Sequence, residues 1–217
     1  MKDEEIREEI VRYGQKLLDE GLTSGTGGNI SYSPPGEDFL YISPSGIPYH
    51  EIDPEEIPRV DYKGNPLDPN KAKPSSESPL HSMIQSSVDR VNGIVHTHSP
   101  YASVIATLGK EIPPIYYLIA NIGDKVPLAK YATYGTEEFG QVALDTLGDR
   151  NGALLEKHGA LAVGSDINAA YEAAGLIENL AKIYYRVLST GVEVEPLGDD
   201  EIERLSEKFQ NYGPETG

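Results

Sequence analysis

No cysteine occurs among the 217 residues, and this absence narrows both what can hold the chain together and what the chain can hold. With no disulfide to staple a loop-rich scaffold, folding must rest on buried apolar surface. At 38% hydrophobic residues, a chain of this length supplies one sizeable core and reads as a single domain over 1–217. Iron-sulfur clusters, Cys-type zinc fingers and thiolate nucleophiles are excluded, so any metal falls to His, Asp or Glu. The five histidines are the natural place to look.

Charge narrows the partners. Eighteen Lys and Arg against 35 Asp and Glu give a formal net charge of −17. The basic residues are scattered rather than clustered, whereas displacing phosphate counterions needs a positive patch, so no nucleic-acid partner is expected. There is no run of about 18 apolar residues, and the acidic start Met1-Lys2-Asp3-Glu4-Glu5 lacks the basic leader of a signal peptide. A soluble, cytoplasmic protein with no membrane partner is expected.

Periodicity and turn residues divide the chain. Ile6, Ile10, Tyr13, Leu17 and Leu18 recur at helical spacing up to Gly21. Short strands are expected at 30–33 and 39–43, each followed by a turn rich in Gly, Ser and Pro, and prolines break up 53–76. Ser78-Pro79 and Ser99-Pro100 each read as a serine N-cap with proline at the first helical position. Between them lies a buried strand, Gly93 to His98. A helix over 137–147 capped by Thr136, a strand at 153–155 running on to His158-Gly159, a long helix over 167–189 capped by Asp166 and a last helix over 200–210 leading to Tyr212 complete the pattern. Strands paired like hairpins among helices predict an α/β fold, a central, largely antiparallel sheet covered by helices.

Three groups of residues carry possible chemistry. Period-two alternation puts His96 and His98 on one face of their strand, where they can grip one ion, and His158 offers a third imidazole. The competing reading is core histidines with satisfied hydrogen bonds; the third histidine favours metal. Ser75-Ser76-Glu77 enters a helix N-terminus, which is either an anion site with Glu77 as general base beside a metal or an ordinary cap. The run Gly25-Thr26-Gly27-Gly28-Asn29 and the turn Ser45-Gly46 allow close backbone approach to a phosphate, or are plain tight turns; neither the P-loop nor the dinucleotide fingerprint fits. His81, one turn into the helix after Glu77, reads either as a partner behind the site or as core, with core favoured, and His50 has no assigned role.

Together Gly25-Thr26-Gly27-Gly28-Asn29-Ile30-Ser31, Pro44-Ser45-Gly46-Ile47-Pro48-Tyr49, Ser75-Ser76-Glu77, Ile94-Val95-His96-Thr97-His98 and Leu154-Leu155-Glu156-Lys157-His158-Gly159 resemble, in order and spacing, the zinc-dependent class II aldolase and adducin family. The likeness runs over nearly the whole chain and is greatest to the branch acting on L-fuculose 1-phosphate. The resemblance implies one Zn2+ per subunit held by His96, His98 and His158, with Glu77 capping the resting metal and serving as acid/base. It implies a phosphate cradle of Thr26, Gly28, Asn29, Ser45, Gly46, Ser75 and Ser76. Tyr117 would be the proton donor, with Tyr134 and Tyr212 shaping the aldehyde side. It further implies a homotetramer with active sites at subunit interfaces, the tail from about 198 reaching a neighbour. The implied reaction is reversible cleavage of a phosphorylated ketose, L-fuculose 1-phosphate or a similar sugar phosphate, to dihydroxyacetone phosphate and a short aldehyde such as L-lactaldehyde. Alternatives within the family are a 5-deoxypentulose-phosphate aldolase, a ribulose-phosphate 4-epimerase, a methylthioribulose-phosphate dehydratase and a non-catalytic adducin-like interaction module.

Overall fold

The structure, a computed structural model, describes residues 2–210. In chain order it contains α1 (Asp3–Asp19), β1 (Asn29–Tyr32), β2 (Phe39–Ile42), β3 (Arg59–Asp61), α2 (Ser78–Ser87), β4 (Gly93–Thr97), α3 (Pro100–Thr107), β5 (Leu128–Ala129), α4 (Glu137–Leu147), β6 (Gly152–Leu155), β7 (Gly159–Gly164), α5 (Ile167–Thr190) and α6 (Asp199–Gln210), with short 3-10 turns between. The strands form one sheet in the order β3-β2-β1-β4-β7-β6-β5. Every pairing is antiparallel except that of β5 with β6. The expected α/β fold with a largely antiparallel sheet is what forms, and among the described residues no helix is long and apolar enough to cross a membrane.

Alternation sorts the side chains between two cores. On β4, Val95 joins the cluster under α1, α3 and α5, while Ile94 joins the one under α2 and α4. On β7, Ala160 and Ala162 face the first layer and Leu161 and Val163 the second. The helical stripe predicted for α1 is buried as Ile6, Ile10, Tyr13 and Leu17. In α5 the buried set includes Ile167, Ala170, Ala174, Ile177 and Ala181, one stripe at helical spacing. Each fully buried aliphatic side chain contributes about 1.5–3 kcal/mol relative to exposure.

Among the departures from the sequence reading, three concern the elements around the histidines and helix starts. First, β7 was not expected. Its sequence, Gly-Ala-Leu-Ala-Val-Gly, is buried throughout, so it has no polar face to betray a strand. Second, the strand before His158 ends at Leu155, and His158 sits in the turn joining β6 to β7. Third, neither serine caps its helix through its side chain. Ser78 is the first residue of α2, with Glu77 in the cap position. Ser99 does hold the cap position of α3, but its hydroxyl is buried without a partner among the described residues. The free amides there donate instead to Glu178 of α5, Tyr101 N to Oε1 at 2.9 Å and Ala102 N to Oε2 at 2.8 Å. Thr136 and Asp166 cap as predicted, accepting from Phe139 N and Ala169 N.

Up to Gln210 the C-terminal segment packs on its own chain: Ile202 is buried, Ser206 Oγ donates to Ala120 O at 3.2 Å, and Phe209 lies beside Tyr117. Tyr212 lies outside the described residues.

The caps of α3 can be told apart by mutation. Glu178→Ala is expected to cost about 2 kcal/mol in urea denaturation, because it orphans two buried amides at a helix start. Ser99→Ala removes no hydrogen bond and is expected to leave the transition where it is; the opposite ranking would contradict this assignment.

Candidate active site

His96, His98, His158 and Glu77 meet on the α2/α4 face of the sheet, at the carboxyl end of β4. His96 follows Ile94 in alternation and is fully buried. Its Nδ1 donates to Ala160 O at 2.9 Å, leaving the Nε2 lone pair free, 2.9 Å from His98 Nε2. His158 enters from the β6–β7 turn, where Lys157 takes φ 57°, a left-handed conformation that costs a residue with a side chain energy and is found at constrained sites. Phe139, at the start of α4, stacks on the His158 ring with centroids 5.3 Å apart and planes at 22°.

The candidate ligand atoms of His96, His98 and His158 lie within 4.8 Å of one another. Glu77 bridges them from the cap of α2, Oε2 lying 3.4 Å from His96 Nε2 and Oε1 3.4 Å from His158 Nε2. Oε1 is buried and has no hydrogen-bond partner among the described residues. Converging imidazole lone pairs and an orphan carboxylate oxygen repel one another when left alone. As a nitrogen-rich donor set with one hard oxygen, they fit a single divalent ion such as zinc.

Burial acts on the charges here first. It pushes His96 down to about 4, against the pull of Glu77, and His81 down to about 3. His98 and His158 are also lowered, chiefly by desolvation. For Glu77, burial acts upward but is outweighed by the neighbouring His96, the Asn29 hydrogen bond and the other histidines, so its carboxyl stays below its usual range.

Beside these residues opens a cleft of about 230 Å³ lined by Thr26, Gly28, Ser45, Gly46, Ser75 and Ser76, together with Asn29, Glu77, His98, His158 and Tyr134. Backbone pairing assembles it: Ser45 N donates to Lys73 O and Ser75 N to Ser43 O, which lays the two serine turns side by side. Gly28 has φ 71°, and a Cβ there would lie 2.7 Å from His96 O, so only glycine lets this loop sit against β4. Among the described residues, no Lys or Arg lines the cleft. Asn29 lines it, but both polar atoms of its side chain are engaged elsewhere, on Glu77 and His81. Tyr117 is not brought to the cleft: it is 46% exposed and packs on Tyr116 and Phe209. His50 pairs with Asp19 at the surface. Sequence reasoning missed Phe139, for which no local pattern signals a ring stack, and for His81 it favoured a core role over that of a partner behind Glu77.

The sequence pattern of the family described as Class II Aldolase and Adducin N-terminal domain matches residues 8–185. The chain belongs to that family. It is 43% identical over 207 residues, 95% of this chain and 96% of the relative, to a 5-deoxy-D-ribulose 1-phosphate aldolase of Bacillus thuringiensis serovar kurstaki. It is 37% identical, over 96% of this chain and 92% of the relative, to a 5-methylthioribulose-1-phosphate/5-deoxyribulose-1-phosphate aldolase of Rhodospirillum rubrum. A solved L-fuculose 1-phosphate aldolase superposes with a TM-score of 0.91 at 36% identity, covering 95% of this chain and 96% of that one.

Buried neutral histidines make the metal-free protein acid-sensitive. His96 and His81 stand at about 4 and about 3 when folded, against 6.5, so between these limits the unfolded chain binds protons that the folded chain refuses. Stability is then full above 6.5 and falls as pH drops toward 4, by up to about 1.4 kcal/mol per pH unit for each histidine. Urea titrations of metal-stripped protein at pH 7 and pH 5 are expected to show the loss; equal stabilities would contradict neutral, buried rings.

Proposed function

We propose that this chain catalyses the metal-dependent, reversible aldol cleavage of a ketose 1-phosphate to dihydroxyacetone phosphate and a short aldehyde. The observation that carries this reading is the convergence of three imidazoles on one buried carboxylate, beside a cleft walled by hydroxyls and glycine amides. A 5-deoxypentulose 1-phosphate, releasing acetaldehyde, is the favoured substrate, supported by the 43% identity to an aldolase of that type. L-Fuculose 1-phosphate, releasing L-lactaldehyde, stands second at 36%.

Zinc held by His96, His98 and His158 would supply the positive charge that stabilises electron density moving onto substrate oxygens. The remaining work belongs to the chain. Hydroxyls of Thr26, Ser45, Ser75 and Ser76 and the amides of the Gly28 and Gly46 turns hold the phosphate without a formal positive charge. In the condensation direction, ionised Glu77 removes a proton from the carbon beside the carbonyl of dihydroxyacetone phosphate, the new carbon–carbon bond forms, and a phenol donates a proton to the aldehyde oxygen. Cleavage runs the same transfers backward. Tyr117 is our candidate for that phenol; its exposure and distance from its own cleft are consistent with service to a neighbouring copy in a homotetramer. Tyr134, 6.4 Å from the His158 ring between centroids, would face the aldehyde.

Chelation followed by zinc restoration tests the reading, with triose phosphate release as the measurement. Metal-free protein is expected to be inactive and zinc to revive it, with kcat/KM higher for 5-deoxyribulose 1-phosphate than for L-fuculose 1-phosphate. Glu77→Gln is expected to lower kcat by about 10²–10⁴. Activity persisting without metal would overturn the mechanism, and epimer formation without triose phosphate would replace aldol cleavage with 4-epimerisation. A purified chain that takes up no zinc and turns over no ketose phosphate would favour an adducin-like interaction module.

A further inference from the structure

Behind Glu77 runs a file of buried polar groups that the aldol step does not use. Asn29 Nδ2 donates to Glu77 Oε2 at 2.6 Å. Asn29 Oδ1 lies 2.5 Å from His81 Nε2, and His81 Nδ1 lies 2.7 Å from Ser31 Oγ. Ser31 Oγ is in turn 3.1 Å from Gln85 Oε1, whose Nε2 donates to Asn92 O at 2.6 Å. His81 and Ser31 are wholly buried, and Asn29 and Gln85 nearly so. Two periodicities build the file: Glu77, His81 and Gln85 recur every fourth residue at and along α2, and Asn29 and Ser31 alternate on β1.

The donors can be assigned in one direction. An ionised carboxylate only accepts, so the Asn29 amide must turn its nitrogen to Glu77 and its oxygen to His81. That oxygen needs a donor, so His81 carries its proton on Nε2. Burial keeps the ring neutral, so Nδ1 is bare and faces the Ser31 hydroxyl at 2.7 Å, a hydroxyl that can also donate to Gln85 Oε1 at 3.1 Å. The two ends of a carboxamide are nearly the same size, and packing alone does not choose between them. With the amide reversed, its oxygen would face the carboxylate at hydrogen-bond distance.

We propose that His81 is a positioning residue for Glu77. By donating from Nε2, it fixes the Asn29 carboxamide in the orientation that presents N–H to the carboxylate. Through Asn29 it holds the ionised Glu77 aimed at the histidine cluster. The proposal rests on the reading of Glu77 as the acid/base.

Three kinetic comparisons and one spectrum test it. In His81→Phe, kcat is expected to fall about 10- to 100-fold, with KM little changed and zinc content still one per chain. His81→Gln, which restores a donor facing Asn29, is expected to recover most of the loss. In an Asn29→Ala background, His81→Phe is expected to cost nothing further, because its route to Glu77 is already cut. Equal losses in both backgrounds would overturn the proposal and return His81 to packing alone. Nitrogen-15 NMR of the wild-type histidines needs neither substrate nor a variant that folds: protonated Nε2 with bare Nδ1 is expected, and the opposite tautomer overturns the assignment. If the wild-type chain proves to have no aldolase activity, the functional reading fails, and the tautomer still decides whether His81 orients Asn29.

Discussion

An ionised carboxylate held out of water is the constraint around which this molecule is arranged. Glu77 is 6% exposed, and a charge so placed costs several kcal/mol unless its surroundings replace the lost hydration. The replacements come from different parts of the chain. Asn29 on β1 gives a hydrogen bond and the start of α2 adds its positive dipole end, while His96 and His158 set imidazole nitrogens 3.4 Å away. One oxygen is still left over. That imbalance points to a cation rather than to another hydrogen bond, since the nearest groups are nitrogens with lone pairs of their own.

Supporting such an arrangement requires a rigid platform, and the middle of the sheet provides one. Asn29 pairs with His96 across β1 and β4, and Thr97 pairs with Ala160 across β4 and β7. The carbonyl that fixes the His96 tautomer therefore belongs to the strand that His158 leads into. A slip of one residue in either ladder would move His96 to the opposite face. The close approach at the end of this ladder leaves no room for error: a Cβ at Gly159 would lie 2.1 Å from Thr97 O. Stability of the sheet and geometry of the site are thus the same property measured in two ways, and the site's stiffness comes from strands while its access comes from loops.

How much of this was legible beforehand follows from the range of each interaction. His96 and His98 could be paired from period-two spacing alone, and the caps by Thr136 and Asp166 from residues three apart, because these are local rules. The serine turns at 45 and 75 could be marked as candidate anion sites, although their being neighbours depends on backbone bonds spanning some thirty residues. β7 was illegible because burial on both faces erases alternation, and β5 because two residues carry no period. Glu178 capping α3, Phe139 stacking on His158 and His81 reaching Glu77 through Asn29 all join residues distant in sequence. Each looks, in isolation, like an ordinary helix glutamate, an ordinary core ring and an ordinary core histidine.

The net charge of −17 poses the remaining physical problem, since the proposed ligand is itself an anion. Surface charges act weakly beyond a Debye length of about 8 Å at physiological ionic strength, whereas the cleft can act at hydrogen-bond range with a low local dielectric. Repulsion from the whole protein therefore falls mainly on the approach of the ligand, and attraction on its bound state. A lysine or arginine in the cleft would strengthen binding, but it would also offer Glu77 a competing ion pair and draw the carboxylate away from the histidines. Neutral donors avoid that conflict. Hydroxyls and glycine amides can hold a phosphate beside a buried carboxylate without disturbing its orientation, and three neutral imidazoles would leave a bound metal's charge undiminished by any thiolate.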